Sequence, residues 1–183
     1  MLRFILFAVS IVAAASCSQA QTSSQTCGDS ALPDGVRSIL ASEYGNWRVE
    51  ALADLADDYR TAWTKKHAGA CPGIAPGHFE NKNELSYALL LIPREKGKAG
   101  YRFVVFSRKS DKDNFHPTML ESDDKYAAAS CTIHHVDPGP KFDEEKFAAY
   151  KLKSEGIYLE FFEASGWIYF WKHGRYEHIV ESD

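Results

Sequence analysis

The 183-residue chain is most informative first for what it lacks. It has no Gly-x-Ser-x-Gly turn, so the nucleophile elbow of an α/β-hydrolase is excluded. It has no His-Glu-x-x-His helix and no glycine-rich loop to cradle a phosphate. Its four cysteines include no close pair, which excludes a zinc-finger spacing. It has no excess of positive charge: the formal net charge is −4. A mildly acidic surface has no general affinity for phosphate backbones, so nucleic acid is not an expected partner. The basic clusters, such as Arg94-Glu95-Lys96-Gly97-Lys98, are interleaved with acids or turn residues and read as solvated loops. Adjacent acids such as Asp57-Asp58 and Glu144-Glu145 read the same way, because glycosidase acids must converge across a cleft. No second apolar run reaches the roughly 20 residues of a membrane helix. There is no internal repeat and no low-complexity tract. No metal site and no cofactor are expected from these patterns.

What is present begins at the first residue. Met1-Leu2-Arg3 supplies one positive charge, Phe4 to Ala15 an apolar run, and Ser16 to Gln21 small and polar residues. That is the order of a secretory signal peptide. The run is about 12 residues, too short to span a bilayer. Two processing routes compete. Ser18 and Ala20 suit cleavage before Gln21. Ala14-Ala15-Ser16-Cys17 is similar to a lipobox, in which Cys17 would be lipidated and would anchor the chain to a membrane. The expected organisation is therefore a signal peptide over 1–20, a flexible lead over 21–31 and a single domain over 32–183. The expected location is periplasmic or secreted, or a membrane-anchored lipoprotein if Cys17 is acylated.

Export implies an oxidising compartment in which disulfides persist. Cys27, Cys71 and Cys131 survive maturation. The expected bond is Cys71 with Cys131, since both lie in the folded part, with Cys27–Cys71 as the rival. Pro33 opens a helix carrying Val36, Ile39, Leu40 and Tyr44 at helical spacing. A second helix is expected over Ala53 to Lys66, with Leu52, Leu55, Ala56, Tyr59 and Trp63 as its apolar stripe. After Gly69 the pattern turns to strands, near Leu85–Ile92, Tyr101–Phe106, Ala128–Val136, Lys151–Lys153, Ile157–Glu163, Trp167–Trp171 and Tyr176–Val180. Arg108 to Asp124 reads as a polar loop. The fold class expected is α+β: two N-terminal helices packed on one face of a mainly antiparallel sheet or meander.

Two segments carry a resemblance. Gly77-His78-Phe79-Glu80-Asn81-Lys82-Asn83-Glu84-Leu85-Ser86-Tyr87-Ala88 resembles the calcium loop and following strand of FG-GAP or VCBS-type modules. Gly77, Phe79, Tyr87 and Ala88 keep the frame. His78, Lys82 and Ser86 replace three acids and only Glu80 keeps one, so the resemblance implies a turn leading into a strand and no calcium. The ending, from Gly156-Ile157 through Ile168-Tyr169-Phe170-Trp171 to Gly174-Arg175-Tyr176, is similar to that of many small exported bacterial proteins of unknown role. That resemblance implies no activity.

Among candidate residues, His134 and His135 are adjacent in an expected strand, so their side chains point to opposite faces. His78 and Glu80 would share a face if extended. Cys131 near His134 fits a thiol nucleophile less well than a disulfide. His67 ends a helix, where a cap suits the dipole. Tyr158, Tyr169 and Tyr176 are expected to form an aromatic interaction surface. The functional expectation is a non-enzymatic binding module of the cell envelope, of inhibitor or immunity type, with a protein partner. An acidic cluster at Asp111, Asp113, Glu121, Asp123 and Asp124 would steer that partner. The alternative is a small periplasmic hydrolase using His134 or His135, or His78 with Glu80.

Overall fold

A computed structural model describes residues 27–108, 114–126 and 128–181. The expected signal peptide over 1–20, with Cys17, and also Asp111 and Asp113, lie outside the described residues.

Helix α1 (Asp34–Glu43) follows Pro33, whose φ of −60° already suits a helix start. Strand β1 (Trp47–Val49) comes next. Helix α2 (Asp57–Lys66) has two acids in its first turn and two lysines in its last, matching the helix dipole. It starts later than expected because Leu52–Asp54 forms a separate 3-10 turn. There the Asp54 carboxylate accepts the Ala51 N–H at 2.8 Å and both Arg48 amino groups at 2.6 Å.

Ten further strands follow among the described residues: β2 (Ile74–Gly77), β3 (Ser86–Pro93), β4 (Tyr101–Arg108), β5 (Phe115–Asp123), β6 (Cys131–Val136), β7 (Gly139–Asp143), β8 (Ala148–Leu152), β9 (Gly156–Phe161), β10 (Gly166–Lys172) and β11 (Arg175–Glu181), β2 being the first of them after α2 and β11 closing the described chain. One sheet runs β1-β3-β4-β5, with β2 also on β3; a second runs β11-β10-β9-β6; β7 and β8 form a separate hairpin. All pairings are antiparallel.

Alternation along the strands decides the layers. Leu90, Phe103 and Val105 of the first sheet meet Ile133, Ile157 and Leu159 of the second in one buried core. Each such side chain contributes about 1.5–3 kcal/mol of burial. The outer face of the first sheet (Leu89, Leu91, Val104, Phe106) is covered by Val36 and Leu40 of α1. On the outer face of the second sheet, the β8 residue Leu152 joins Val136, Ile168 and Phe170. Helix α2 reaches the same sheet, where the Tyr59 hydroxyl hydrogen-bonds Thr132.

The α+β expectation is therefore corrected. Strands take 46% of the described residues and helices 19%, a mainly β fold, and the two helices serve different sheets. The strands that sequence reading missed share a cause. Strands β2, β5 and β7 carry Pro76, Pro117 and Pro140. Proline cannot donate to a ladder and so belongs on edges. Here β5 and β7 are terminal strands and β2 pairs only with β3.

The disulfide expectation is also corrected. Cys27 bonds Cys71, with their Cα atoms 5.4 Å apart. Cys131 is buried and takes no part in that bond. It shares the inward face of β6 with Ile133, inside the core between the sheets. Burial pushes that thiol's pKa up. A thiol so held is protonated and shielded, which removes it as a nucleophile. Among the described residues no helix is long and apolar enough to cross a membrane.

Candidate functional site

Leu55, just ahead of α2, and Tyr59 and Trp63 within it repeat every four residues and are buried together. Four residues on, His67 extends this stripe and caps the helix, its N–H donating to the Trp63 carbonyl at 2.7 Å. The Trp63 and His67 rings stack with centroids 4.2 Å apart.

The second sheet supplies the rest. In β6, Cys131 and Ile133 face inward, so Thr132 and His134 face outward. In β9, Leu159 and Phe161 face inward, so Glu160 faces outward. Thr132 pairs with Glu160 and His134 with Tyr158, which sets His134 and Glu160 diagonally on one face. His134 Nδ1 lies 3.8 Å from Glu160 Oε2. The His67 and His134 rings are 4.6 Å apart. His67, His134 and Glu160 each offer one ligand atom, all within 4.8 Å of one another. They are the one group among the described residues arranged to hold a metal ion. Lys66 Nζ sits 3.8 Å from Glu160 Oε1.

Beside this group opens a cleft of about 540 Å³, lined by Trp63, His67 and Glu160 together with Phe162, Ala164 and Ser165. Tyr59 stacks on Phe162 with centroids 4.7 Å apart and forms part of its wall. At the rim, Ala62, Ala164 and Ser165 are small and exposed, alongside the exposed side chains of Lys66 and Glu163.

His135 points the other way, as its adjacency to His134 requires. Its Nε2 lies 3.2 Å from Glu155 Oε2, and His78 Nδ1 lies 3.5 Å from Glu155 Oε1. Glu155 also accepts the His78 N–H at 2.5 Å. This clasp joins β6, the end of β2 and the turn before β9. Burial alone would raise the Glu155 carboxyl. The His78 N–H and the His135 imidazole outweigh it and hold the carboxyl below its ordinary range. A depressed carboxyl contributes stability above its unfolded pKa, and loses it as pH falls through the folded value. Glu155→Gln is therefore expected to cost about 1 kcal/mol near pH 7, allowing for partial exposure. That gap should narrow on going to acid pH, as the folded carboxyl takes up its proton. Urea midpoints at neutral and at acid pH check this, and an equal gap at both would refute it.

Other expected sites are not assembled. His78 meets Glu155 rather than Glu80. Glu80 instead lies beside Tyr176, whose hydroxyl is pushed up by burial and then by that carboxylate. Tyr158, Tyr169 and Tyr176 make no surface. Tyr158 and Tyr169 are 3% and 4% exposed, and Tyr176 is half-buried. Tyr158 donates to the Glu181 carbonyl at 3.0 Å and Tyr169 to Glu121 at 3.1 Å. They are covered because this sheet is packed on both faces, one by the first sheet and the other by the β7–β8 hairpin. The described acids of the expected steering cluster are locally engaged. Glu121 accepts from Tyr169, Asp123 caps the turn at Lys125 and Tyr126, and Asp124 pairs with Arg102 at 2.5 Å.

Sequence reading had weighed His134 and His67 singly and missed Glu160 and Glu155. The available signal was the four-residue step from Trp63 to His67, together with the odd and even alternation of β6 and β9. Comparison with protein-family models, with curated proteins and with solved structures finds no match for this chain.

Proposed function

We propose that this chain is an exported, non-enzymatic binding module of the cell envelope, and that its binding site is the cleft between α2 and the β9–β10 turn. The partner is a protein that inserts a side chain there. The observation that carries this reading is an open cleft of about 540 Å³ with Trp63, Tyr59 and Phe162 in its wall and the small residues Ala62, Ala164 and Ser165 among those at its rim. An aromatic-walled recess that excludes water around one inserted side chain is the usual form of an interface anchor. The polar groups at its floor, His67 and Glu160, would orient that side chain.

The test is capture from envelope and secreted fractions with the wild-type chain and with Ala62→Trp, which fills the mouth from an exposed helical position. A stoichiometric partner held by the wild type and weakened at least tenfold by Ala62→Trp is expected. A partner indifferent to the substitution, or no partner at all, would overturn the reading. A histidine-dependent hydrolase is the second reading, favoured by one observation: His134 and Glu160 lie 3.8 Å apart beside a cleft. Hydrolysis lost on His134→Ala with unchanged melting would put that reading first.

A further inference from the structure

We propose that His67, His134 and Glu160 form a divalent transition-metal site, of the kind that takes Zn²⁺, at the floor of the cleft. Two imidazoles and one carboxylate are a donor set suited to Zn²⁺ and its neighbours in the first transition row. The geometry is close to what an ion needs. Ligand bonds of about 2.0–2.1 Å at tetrahedral angles put neighbouring ligand atoms about 3.4 Å apart. The three donors already lie within 4.8 Å of one another, and His134 Nδ1 is 3.8 Å from Glu160 Oε2. Side-chain rotations of a few tenths of an ångström to an ångström would complete the contraction. No backbone change is called for, because each donor comes from a fixed element: the cap of α2, the middle of β6 and the end of β9.

The surroundings favour an ion at this point. Glu160 is 8% exposed, and low dielectric strengthens attraction to a cation. The Trp63 ring stacked on His67 at 4.2 Å and the Tyr158 ring edge-on to His134 at 5.1 Å restrict both imidazoles. Restricted ligands lose less freedom on binding. Among the described residues a cation competes: Lys66 Nζ, 3.8 Å from Glu160. Its side chain is half exposed and can swing into water. Three protein ligands leave a coordination position, as in open rather than closed zinc sites. His67 and Glu160 both line the cleft, so that position faces it. The site stands on donor geometry alone and does not depend on which molecule enters the cleft.

The test uses protein without a histidine tag, dialysed against a chelator and titrated with Zn²⁺ by calorimetry and with Co²⁺ by visible absorption. One equivalent of Zn²⁺ and a saturable Co²⁺ spectrum are expected. His67→Ala and His134→Ala should each weaken binding at least tenfold, while His78→Ala leaves it unchanged. Lys66→Ala, at an exposed position that should not disturb folding, is expected to tighten binding several-fold by removing the competing ammonium. No saturable binding would overturn the proposal. So would binding that survives both His67→Ala and His134→Ala, or a Lys66→Ala variant with unchanged or weaker affinity. Ala62→Trp should block the partner and leave Zn²⁺ affinity intact, so failure of the cleft reading and failure of the metal site are separate results.

Discussion

Reduction of the Cys27–Cys71 bond is expected to lower the unfolding free energy by about 4 kcal/mol, as is Cys27→Ala. The figure follows from loop closure. The bonded residues are 44 apart, and a cross-link over such a loop removes that entropy from the unfolded chain. A domain of this size holds about 5–15 kcal/mol in total, so the loss is a large share. The bond also ties down the segment before α1. Asp29, two residues after Cys27, accepts from Arg94 at 3.1 Å, and Leu32 packs with Val36 and Leu40 under the first sheet. Cys131→Ala separates the two pairings. It leaves the bond intact here and would abolish a Cys71–Cys131 link. Denaturant midpoints with and without reductant measure the effect. Peptide mapping that joined Cys71 to Cys131 would sink the assignment.

The strands in the middle of sheets were legible and those at the edges were not. Strand β3 reads as an apolar run because both its faces are buried, by the other sheet and by α1. Strands β9 and β10 declared themselves through aromatics on both faces. Strands β2, β5 and β7 are held by pairing on one side, tolerate proline, and so carry too weak a pattern to read. The number of layers was illegible for a related reason. Apolar residues on both faces of a strand say that each face is covered, not whether a helix or another sheet covers it. Helix α2 was found, yet its partner sheet was not. The site needed that partner, since His67, His134 and Glu160 are far apart in sequence and meet only through the β6–β9 register. The Cys71–Cys131 expectation failed on the same kind of fact. Cys131 starts a strand whose inward face is core, and a lead rich in Ser, Thr and Gln gave no sign that Cys27 would be fixed.

Glu50→Gln is expected to make the protein more stable than wild type near neutral pH, by an amount that grows with pH. The cause lies where β3 changes edge partners. Strand β1 pairs with Leu91–Pro93 and β2 with Ser86–Leu89. At the handover Leu90 donates to the Gly73 carbonyl and accepts from the Glu50 N–H, both at 3.0 Å. Gly73 is required there, because a Cβ would sit 2.5 Å from the Glu50 carbonyl oxygen. The crossing drives the Glu50 side chain into the interior, 0% exposed. Its carboxyl oxygens have no hydrogen-bond partner among the described residues.

Burial, and then the Asp54 charge, push the Glu50 carboxyl well above its ordinary 4.5, against a smaller opposing pull from Arg48. An unpaired buried carboxylate is too costly, so the folded protein keeps the proton. The unfolded chain releases it above about pH 4.5. The folded state thus binds more protons, and stability falls by about 1.4 kcal/mol per pH unit from there until the folded carboxyl ionises. Glutamine has no proton to hold, so this slope disappears. The two proteins should be similar near pH 4 and diverge progressively as the pH rises toward neutral, with wild type the less stable. Glu50→Leu should flatten the curve in the same way, which separates proton linkage from any new hydrogen bond of the amide. Denaturant midpoints across this range decide the matter. Wild-type and variant curves that run parallel would mean that Glu50 does not hold its proton on folding.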